Sequence, residues 1–184
     1  EVRGEVYMTN SNLSKLNEQL VAKGEQPYAN PRNTAAGALR LQDPRRCAER
    51  RLRMFCHGVG HNEGLKATNH QEFLAALFEF GLPFTPYIRC CKTFDVAVDY
   101  CDELIEKLPE LDFEVDGVVL KVNDFAQREE LGSTTKSPRW LVAYKFEKYE
   151  TTTTLNDINV NIGKTGAITP VAILDPVQLA GTTV

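Results

Sequence analysis

One run of ten residues constrains the fold of this chain more than any other. Phe113-Glu114-Val115-Asp116-Gly117-Val118-Val119-Leu120-Lys121-Val122 reads as a strand in which Asp116 and Lys121 interrupt an apolar, β-branched pattern. A charge in such a run costs desolvation free energy unless it has a partner. A second run, Pro138-Arg139-Trp140-Leu141-Val142-Ala143-Tyr144-Lys145-Phe146, again carries a lysine, Lys145, between aromatic residues. Two lysines and one carboxylate on strands point to a pocket for a polyanion, with a metal ion as a chemically fitting companion.

The rest of the chain alternates strands and helices. Residues 1–9 alternate like a strand. Asn10 or Ser11 can cap a helix running to about Lys23, with Leu13, Leu16, Leu20 and Val21 on one face and Gly24 ending it. Pro31 is a good first helical residue, and the helix it opens carries Arg32, Ala35, Ala36, Leu39 and Arg40. Arg32 and Arg40 lie a little over two turns apart, which would place both on one face. Leu52 to Val59 reads as a buried strand. Residues 70–80 form a helix with Phe73, Leu74, Leu77 and Phe80 inward, stopped by Gly81 and Pro83. Phe84 to Cys91 reads as a short strand, Asp95 to Lys107 as an amphipathic helix, and Asp124 to Leu131 as a short helix closed by Gly132. Antiparallel-looking strands with helices between them argue for an α+β fold.

Near residue 150 the composition shifts. Thr151 to Thr154 begin a helix-poor tail. Ile158, Val160 and Ile162 alternate along it, a turn follows at Gly163-Lys164-Thr165-Gly166, and Ile168, Val171, Ile173 and Val177 continue the pattern. This looks like the opening strands of a small β-barrel. An unclosed barrel leaves unpaired edges, so the parent polypeptide is expected to continue. Gly163-Lys164-Thr165 resembles the end of a Walker phosphate loop, but position 158 is Ile rather than Gly, and strand-like residues follow where a helix is required. That motif is rejected.

Composition and charge narrow the function classes. The chain has 184 residues, 42% hydrophobic and 25% charged, within the range of a soluble globular protein. No apolar run approaches the ~20 residues of a membrane span, and the opening Glu1-Val2-Arg3-Gly4-Glu5 resembles no signal peptide. It also lacks an initiating Met, as an excised piece of a longer protein would. Five cysteines occur without a Cys-x-x-Cys pair, which argues against zinc and fits a reducing cytoplasm better than a disulfide framework. The net charge of −4 excludes a generic nucleic-acid binder. Its distribution does not exclude a local site. Arg32, Arg40, Arg45, Arg46, Arg50, Arg51 and Arg53 face only Asp43 and Glu49 within one segment. Such a patch can neutralise several phosphates, and guanidinium forks suit phosphate oxygens; a solvated helix face is the plainer alternative.

Several motifs, in one order, resemble bacterial NAD-dependent DNA ligases. They are Arg3-Gly4-Glu5, Asn30-Pro31-Arg32-Asn33 with Ala35-Ala36-Gly37, Asp116-Gly117-Val118-Val119 with Lys121, and Pro138-Arg139-Trp140 with Lys145-Phe146. The tail Gly163-Lys164-Thr165-Gly166-Ala167-Ile168-Thr169-Pro170 is similar to the opening of that family's OB domain. The resemblance implies the C-terminal portion of an adenylation (nucleotidyltransferase) domain, with antiparallel sheets and flanking helices, over residues 1–148, followed at 149–184 by the first strands of an OB-type barrel. It implies an enzyme that seals nicks in double-stranded DNA through lysine–AMP and DNA–adenylate intermediates, using NAD and Mg2+, with Mn2+ as the alternative ion.

By the same resemblance Lys145, Asp116 and Lys121 act in the chemistry. Glu5, Arg32, Arg40, His57, Asp116, Lys121 and Lys145 hold the nucleotide, with His57 standing where an aromatic ring stacks on adenine. Glu5 and Asp116 would touch the metal, and Arg40, Arg45, Arg46 and Lys164 would face DNA. His61 and His70 are expected at the surface. The implied partners are nicked DNA, NAD or AMP, and the rest of the same polypeptide: an N-terminal region for nicotinamide mononucleotide, then zinc, helix-hairpin-helix and BRCT modules. A cytoplasmic monomer is expected. The family's Lys-x-Asp-Gly nucleophile motif is missing from this sequence, and Glu114-Val115-Asp116-Gly117 has the wrong first residue to replace it. An ATP-dependent ligase or capping-type nucleotidyltransferase shares the carboxylate and lysine logic. A non-catalytic DNA-binding module would account for the arginines and the tail.

Overall fold

A computed structural model describes residues 1–145, 150–179 and 182–184. The chain divides into two compact units, residues 1–146 and 147–184. The expected boundary at 148/149, and Phe146 of the second strand motif, lie outside the described residues.

The first unit begins with β1 (Val2–Tyr7) and α1 (Asn10–Ala22). The cap of α1 is Thr9, one residue before the expected one, and its hydroxyl accepts from the Asn12 amide. Leu20 is buried on this helix, while Val21 faces solvent, one step round from the buried stripe. Next come α2 (Pro31–Ala38) and α3 (Pro44–Glu49). Each starts with proline after an Asn or Asp cap, Asn30 and Asp43. The expected helix through Arg40 stops short: Leu39 caps α2 and the Arg40 amide bonds back to Gly37 in a turn, so Arg40 shares no helical face with Arg32. The helix α3 was not anticipated within the arginine-rich stretch, although Asp43-Pro44 is its start signal.

β2 (Arg53–Val59) pairs antiparallel with β1, with a bulge at Arg3/Gly4. Behind it α4 (His70–Glu79) packs Phe73, Leu74 and Leu77 on Cys56, and these four form the buried centre. Cys56 is the buried member of β2; its neighbours are exposed or half-buried, so the strand is less enclosed than its apolar sequence suggests. Phe80 falls past the end of α4 and is 73% exposed, against the expectation that it points inward.

The segment 84–91 forms no strand. Pro83 and Pro86 lack the amide a ladder needs; just before the segment the Cys56 amide donates to the Pro83 carbonyl, and Phe84 packs against the cluster around Cys56. After α5 (Phe94–Lys107), β3 (Gly117–Lys121) pairs antiparallel with β4 (Leu141–Lys145). The strand is shorter than the apolar run implied, and Asp116 sits just before its first paired residue. Between them α6 (Phe125–Leu131) is capped by Asp124, and its Phe125 joins the core around Cys56. The bonds from the His70 amide to Asn123 and from the Phe125 amide to Thr68 tie the starts of α4 and α6 together.

In the second unit β5 (Leu155–Ile162) and β6 (Ile168–Leu174) form an antiparallel hairpin. Its turn uses Gly166 at φ 82°, a conformation glycine adopts without steric cost. Short strands β7 (Gln178–Leu179) and β8 (Thr182–Thr183) pair with each other. Among the described residues no barrel closes, and Ile158, Val160, Ile162 and Ile168 remain exposed. The α+β class with antiparallel sheets is the architecture observed, and the second unit consists of paired antiparallel strands.

Candidate functional site

The site is assembled where β3 begins and β4 ends. Gly117 opposes Lys145 in the ladder. A Cβ on Gly117 would lie 2.7 Å from the Tyr144 carbonyl oxygen and 3.2 Å from the Lys145 Cα, so the close crossing of the two strands demands glycine there. This crossing sets Asp116 beside the lysine: the Lys145 Nζ lies 3.6 Å from Asp116 Oδ2. The same oxygen is 3.9 Å from the Arg32 Nη1. Arg32 arrives on the first turn of α2, which packs against β1, the strand that carries Glu5. One carboxylate thus gathers two cations from segments far apart in sequence.

All three side chains are largely exposed, 66% for Asp116, 70% for Lys145 and 79% for Arg32. Ion pairs of that kind contribute about 0–1 kcal/mol to stability. Folding energetics therefore gives no reason to gather them, whereas a phosphate group would find two cations held in place.

Lys121 is oriented differently. Its Nζ donates to the His57 carbonyl at 2.9 Å, joining β3 to β2. Burial, and then the nearby Arg128 charge, hold its pKa below the usual lysine range. Arg128, on α6, was not picked out by sequence reasoning. Its Nε donates to the Val122 carbonyl at 2.6 Å, and its guanidinium lies over the Phe125 and Trp140 rings at 4.9 and 4.4 Å. Its Nη2 is buried and unpartnered among the described residues. The backbone links the same place, since the Val122 amide donates to Trp140. Nothing local in the sequence pairs residue 128 with residue 140.

His70 is half-buried rather than a surface residue. It starts α4, with its ring 5.7 Å from that of Phe73. Burial, together with the charges of Lys121, Arg128 and His57, pushes its pKa down to about 4, so it is neutral near pH 7. His57 and His61 are exposed. Glu5 is exposed on β1 opposite Phe55. Arg3 pairs with Glu1 rather than Glu5. Arg40 is exposed in its turn. Arg45 is held by Asp43, whose carboxyl lies below the usual range because of that bond, whereas Arg46 projects without a recorded ion pair among the described residues. Lys164 belongs to the second unit, in the β5–β6 turn. The structure brings together Arg32, Asp116 and Lys145, and separately Lys121 and the His57 backbone.

The donor set bears on a metal. No three His, Cys, Asp or Glu side chains cluster among the described residues, so an ion caged by protein ligands alone does not fit. Magnesium usually keeps several waters and takes one or two carboxylates plus substrate phosphates. Asp116 beside a phosphate suits that mode.

Comparison with known proteins agrees along the whole sequence. Residues 1–149 match the family model described as the NAD-dependent DNA ligase adenylation domain, and residues 152–184 that of the NAD-dependent DNA ligase OB-fold domain. Proteins named DNA ligase from Rhodopirellula baltica and Bacillus cytotoxicus are each 48% identical over all 184 residues, covering 26% and 28% of those relatives. One from Paenarthrobacter aurescens is 46% identical, with 24% of it covered. The chain spans about a quarter of the length of the curated relatives it matches. No described helix is long and apolar enough to cross a membrane. The chain belongs to the NAD-dependent DNA ligase family, within which it carries adenylation-domain and OB-fold sequence.

Proposed function

We propose that this chain supplies the nucleotide- and phosphate-binding part of an enzyme that seals nicks in double-stranded DNA using NAD. Residues 1–148 act as the C-terminal portion of the adenylation domain and residues 149–184 as the start of the OB domain. The supporting observation is the single Asp116 carboxylate facing both Arg32 and Lys145. Asp116 keeps the two cations close to where an adenylyl phosphate would bind. Preorganised cations stabilise charge that develops on a transferring phosphoryl group without a reorganisation cost at the moment of reaction. Lys145 is assigned to the transferred phosphate and Arg32 to an adjacent one. Lys121, fixed on the His57 carbonyl, and Glu5 are assigned to the nucleoside, with His57 against the base. Magnesium, held by Asp116 and phosphate oxygens, would supply charge neutralisation when bound.

The nucleophilic lysine of the self-adenylation step is assigned to the parent polypeptide, since this sequence has no Lys-x-Asp-Gly motif. Arg40, Arg46 and Lys164 are assigned to DNA phosphates. The parent's nicotinamide mononucleotide region and its zinc, helix-hairpin-helix and BRCT modules complete the working protein, which acts as a cytoplasmic monomer.

The test uses the full-length parent with Lys145→Ala and Asp116→Ala. Each variant should lose at least ~100-fold in enzyme–AMP formation from labelled NAD, with an unchanged melting temperature. The 184-residue chain alone should take up no covalent label. Normal rates in both variants, or a labelled isolated chain, would overturn the assignment.

A further inference from the structure

The segment leading into Asp116 is fastened at its other end to the first turn of α1. The Asn10 amide donates to the Asp112 carbonyl at 2.9 Å. The Ser11 amide donates to Asp112 Oδ1 at 2.8 Å, and the Ser11 hydroxyl to Oδ2 at 2.6 Å. With the Asn12 amide on the Thr9 hydroxyl, the three amides at the start of this 13-residue helix all have partners, two of them supplied by Asp112. A carboxylate is also favoured there by the helix dipole. The bonds to Ser11 hold the Asp112 carboxyl below the usual aspartate range.

Residue 112 is therefore fixed at its carbonyl and at both carboxylate oxygens. The next residue is fixed as well: the Phe113 ring lies 5.3 Å from Tyr7 and 5.6 Å from Phe55, on the β1–β2 sheet. Asp116 is four residues on from Asp112, a span of at most ~14 Å. At the far end of that short strap, Asp116 reaches Arg32 and Lys145 at 3.9 and 3.6 Å, longer than ideal charged hydrogen bonds. Contacts so long and so exposed are too weak to fix Asp116 by themselves. The backbone of Asp116 is held on one side by the pairing of Gly117 with Lys145 and on the other by the tethered end of the strap.

We propose that Asp112 is a positioning residue, which shares with the Gly117–Lys145 pairing the placing of the Asp116 carboxylate by latching the 112–116 strap to the start of α1. The inference rests on the assignment of Asp116 to the nucleotide site above. It extends that assignment to a residue that touches neither substrate nor cation pair, and whose partner, Ser11, lies 101 residues away in sequence. If the latch opens, the strap is held only at Phe113 and Gly117, and the Asp116 carboxylate shifts relative to the two cations. Misplacement on the ångström scale can cost up to ~100-fold in rate.

The plainer role for Asp112 is to cap α1 and nothing more. A double-mutant cycle in the full-length parent separates the two roles. Asp112→Ala, Asp116→Ala and the double variant are compared for the single-turnover rate of enzyme–AMP formation from labelled NAD, for KM of NAD, and for melting temperature. The positioning role predicts a loss of roughly tenfold in rate for Asp112→Ala and no further loss when it is added to Asp116→Ala. A full multiplicative loss in the double variant, or an unchanged rate in Asp112→Ala, overturns it.

Ser11→Ala, which removes one of the three bonds and leaves the backbone intact, carries the same cycle at smaller amplitude should Asp112→Ala fail to fold. Asp112→Asn, which still accepts from the Ser11 amide, should recover part of the rate. No recovery counts against the latch. An Asp116→Ala variant of normal rate would instead remove the site assignment itself, an outcome distinct from additivity.

Discussion

The two sheets of the first unit are held by different forces. β1–β2 lies against α4, where Cys56, Phe73, Leu74 and Leu77 exclude water. β3–β4 is covered less: Val142 is 64% exposed, Ala143, Tyr144 and Lys145 are exposed too, and β3, against which α5 lies, is half-buried at most. Discrete polar ties fix it instead. Lys121 holds the His57 carbonyl, Arg128 holds the Val122 carbonyl between two rings, and Asp112 holds the start of α1. Apolar burial is non-directional and tolerates small shifts, whereas a hydrogen bond sets a position to within a few tenths of an ångström. Under the proposed function, a strand pair presenting Asp116 and Lys145 to a nucleotide is left accessible and located by directional contacts, beside a sheet backed by a buried apolar cluster.

Three measurements bear on this contrast. The largest effect is expected in the apolar half. Leu77→Ala should lower stability by about 2–5 kcal/mol, read as a drop in the denaturant midpoint at constant slope. A loss below ~1 kcal/mol would mean that the core around Cys56 is not where the stability lies.

A smaller effect belongs to His70, which stands between the two regimes, with Phe73 on one side and the charges of Lys121 and Arg128 on the other. Its pKa is depressed from 6.5 to about 4, so the unfolded chain binds the extra proton in that interval. Stability should be unaffected by this group above pH ~6.5 and should fall as pH drops from there towards ~4. His70→Gln should flatten that decline. An equally steep decline in the variant would remove His70 from the account.

The smallest effect is expected on α3, which has no buried residue. Arg46→Ala in the full-length parent should reduce the salt slope of nick binding by about 1 and leave stability unchanged. Arg45→Ala should do less, because Asp43 already occupies that guanidinium. Equal slopes for both variants and the parent would return the arginine patch to a solvated face.

Much of this was readable from residues alone, for local reasons. Helix starts follow from caps and prolines, as at Asn30-Pro31, and helix faces from spacing, as at Phe73, Leu74 and Leu77. The charged residues Asp116, Lys121 and Lys145 stood out because they interrupt apolar runs. Errors arose where a local signal had to say which side of an element is covered. Val21 and Phe80 fit the apolar spacing yet face solvent, and the 84–91 run is apolar yet finds no ladder beside Pro83 and Pro86. His70 gives no hint in sequence of its half-buried surroundings.

The family, most of the elements and the charged residues of the candidate site are legible in local sequence, because propensity, capping and composition act over a few residues. Which charges meet is a matter of long-range packing. Asp116 faces Arg32 and Lys145, Lys121 turns to the His57 backbone, and Asp112 closes on Ser11. Those pairings span tens of residues of chain, and their geometry is fixed by the crossing of β3 over β4 at Gly117 and by the packing of α1 and α2, which no local pattern encodes.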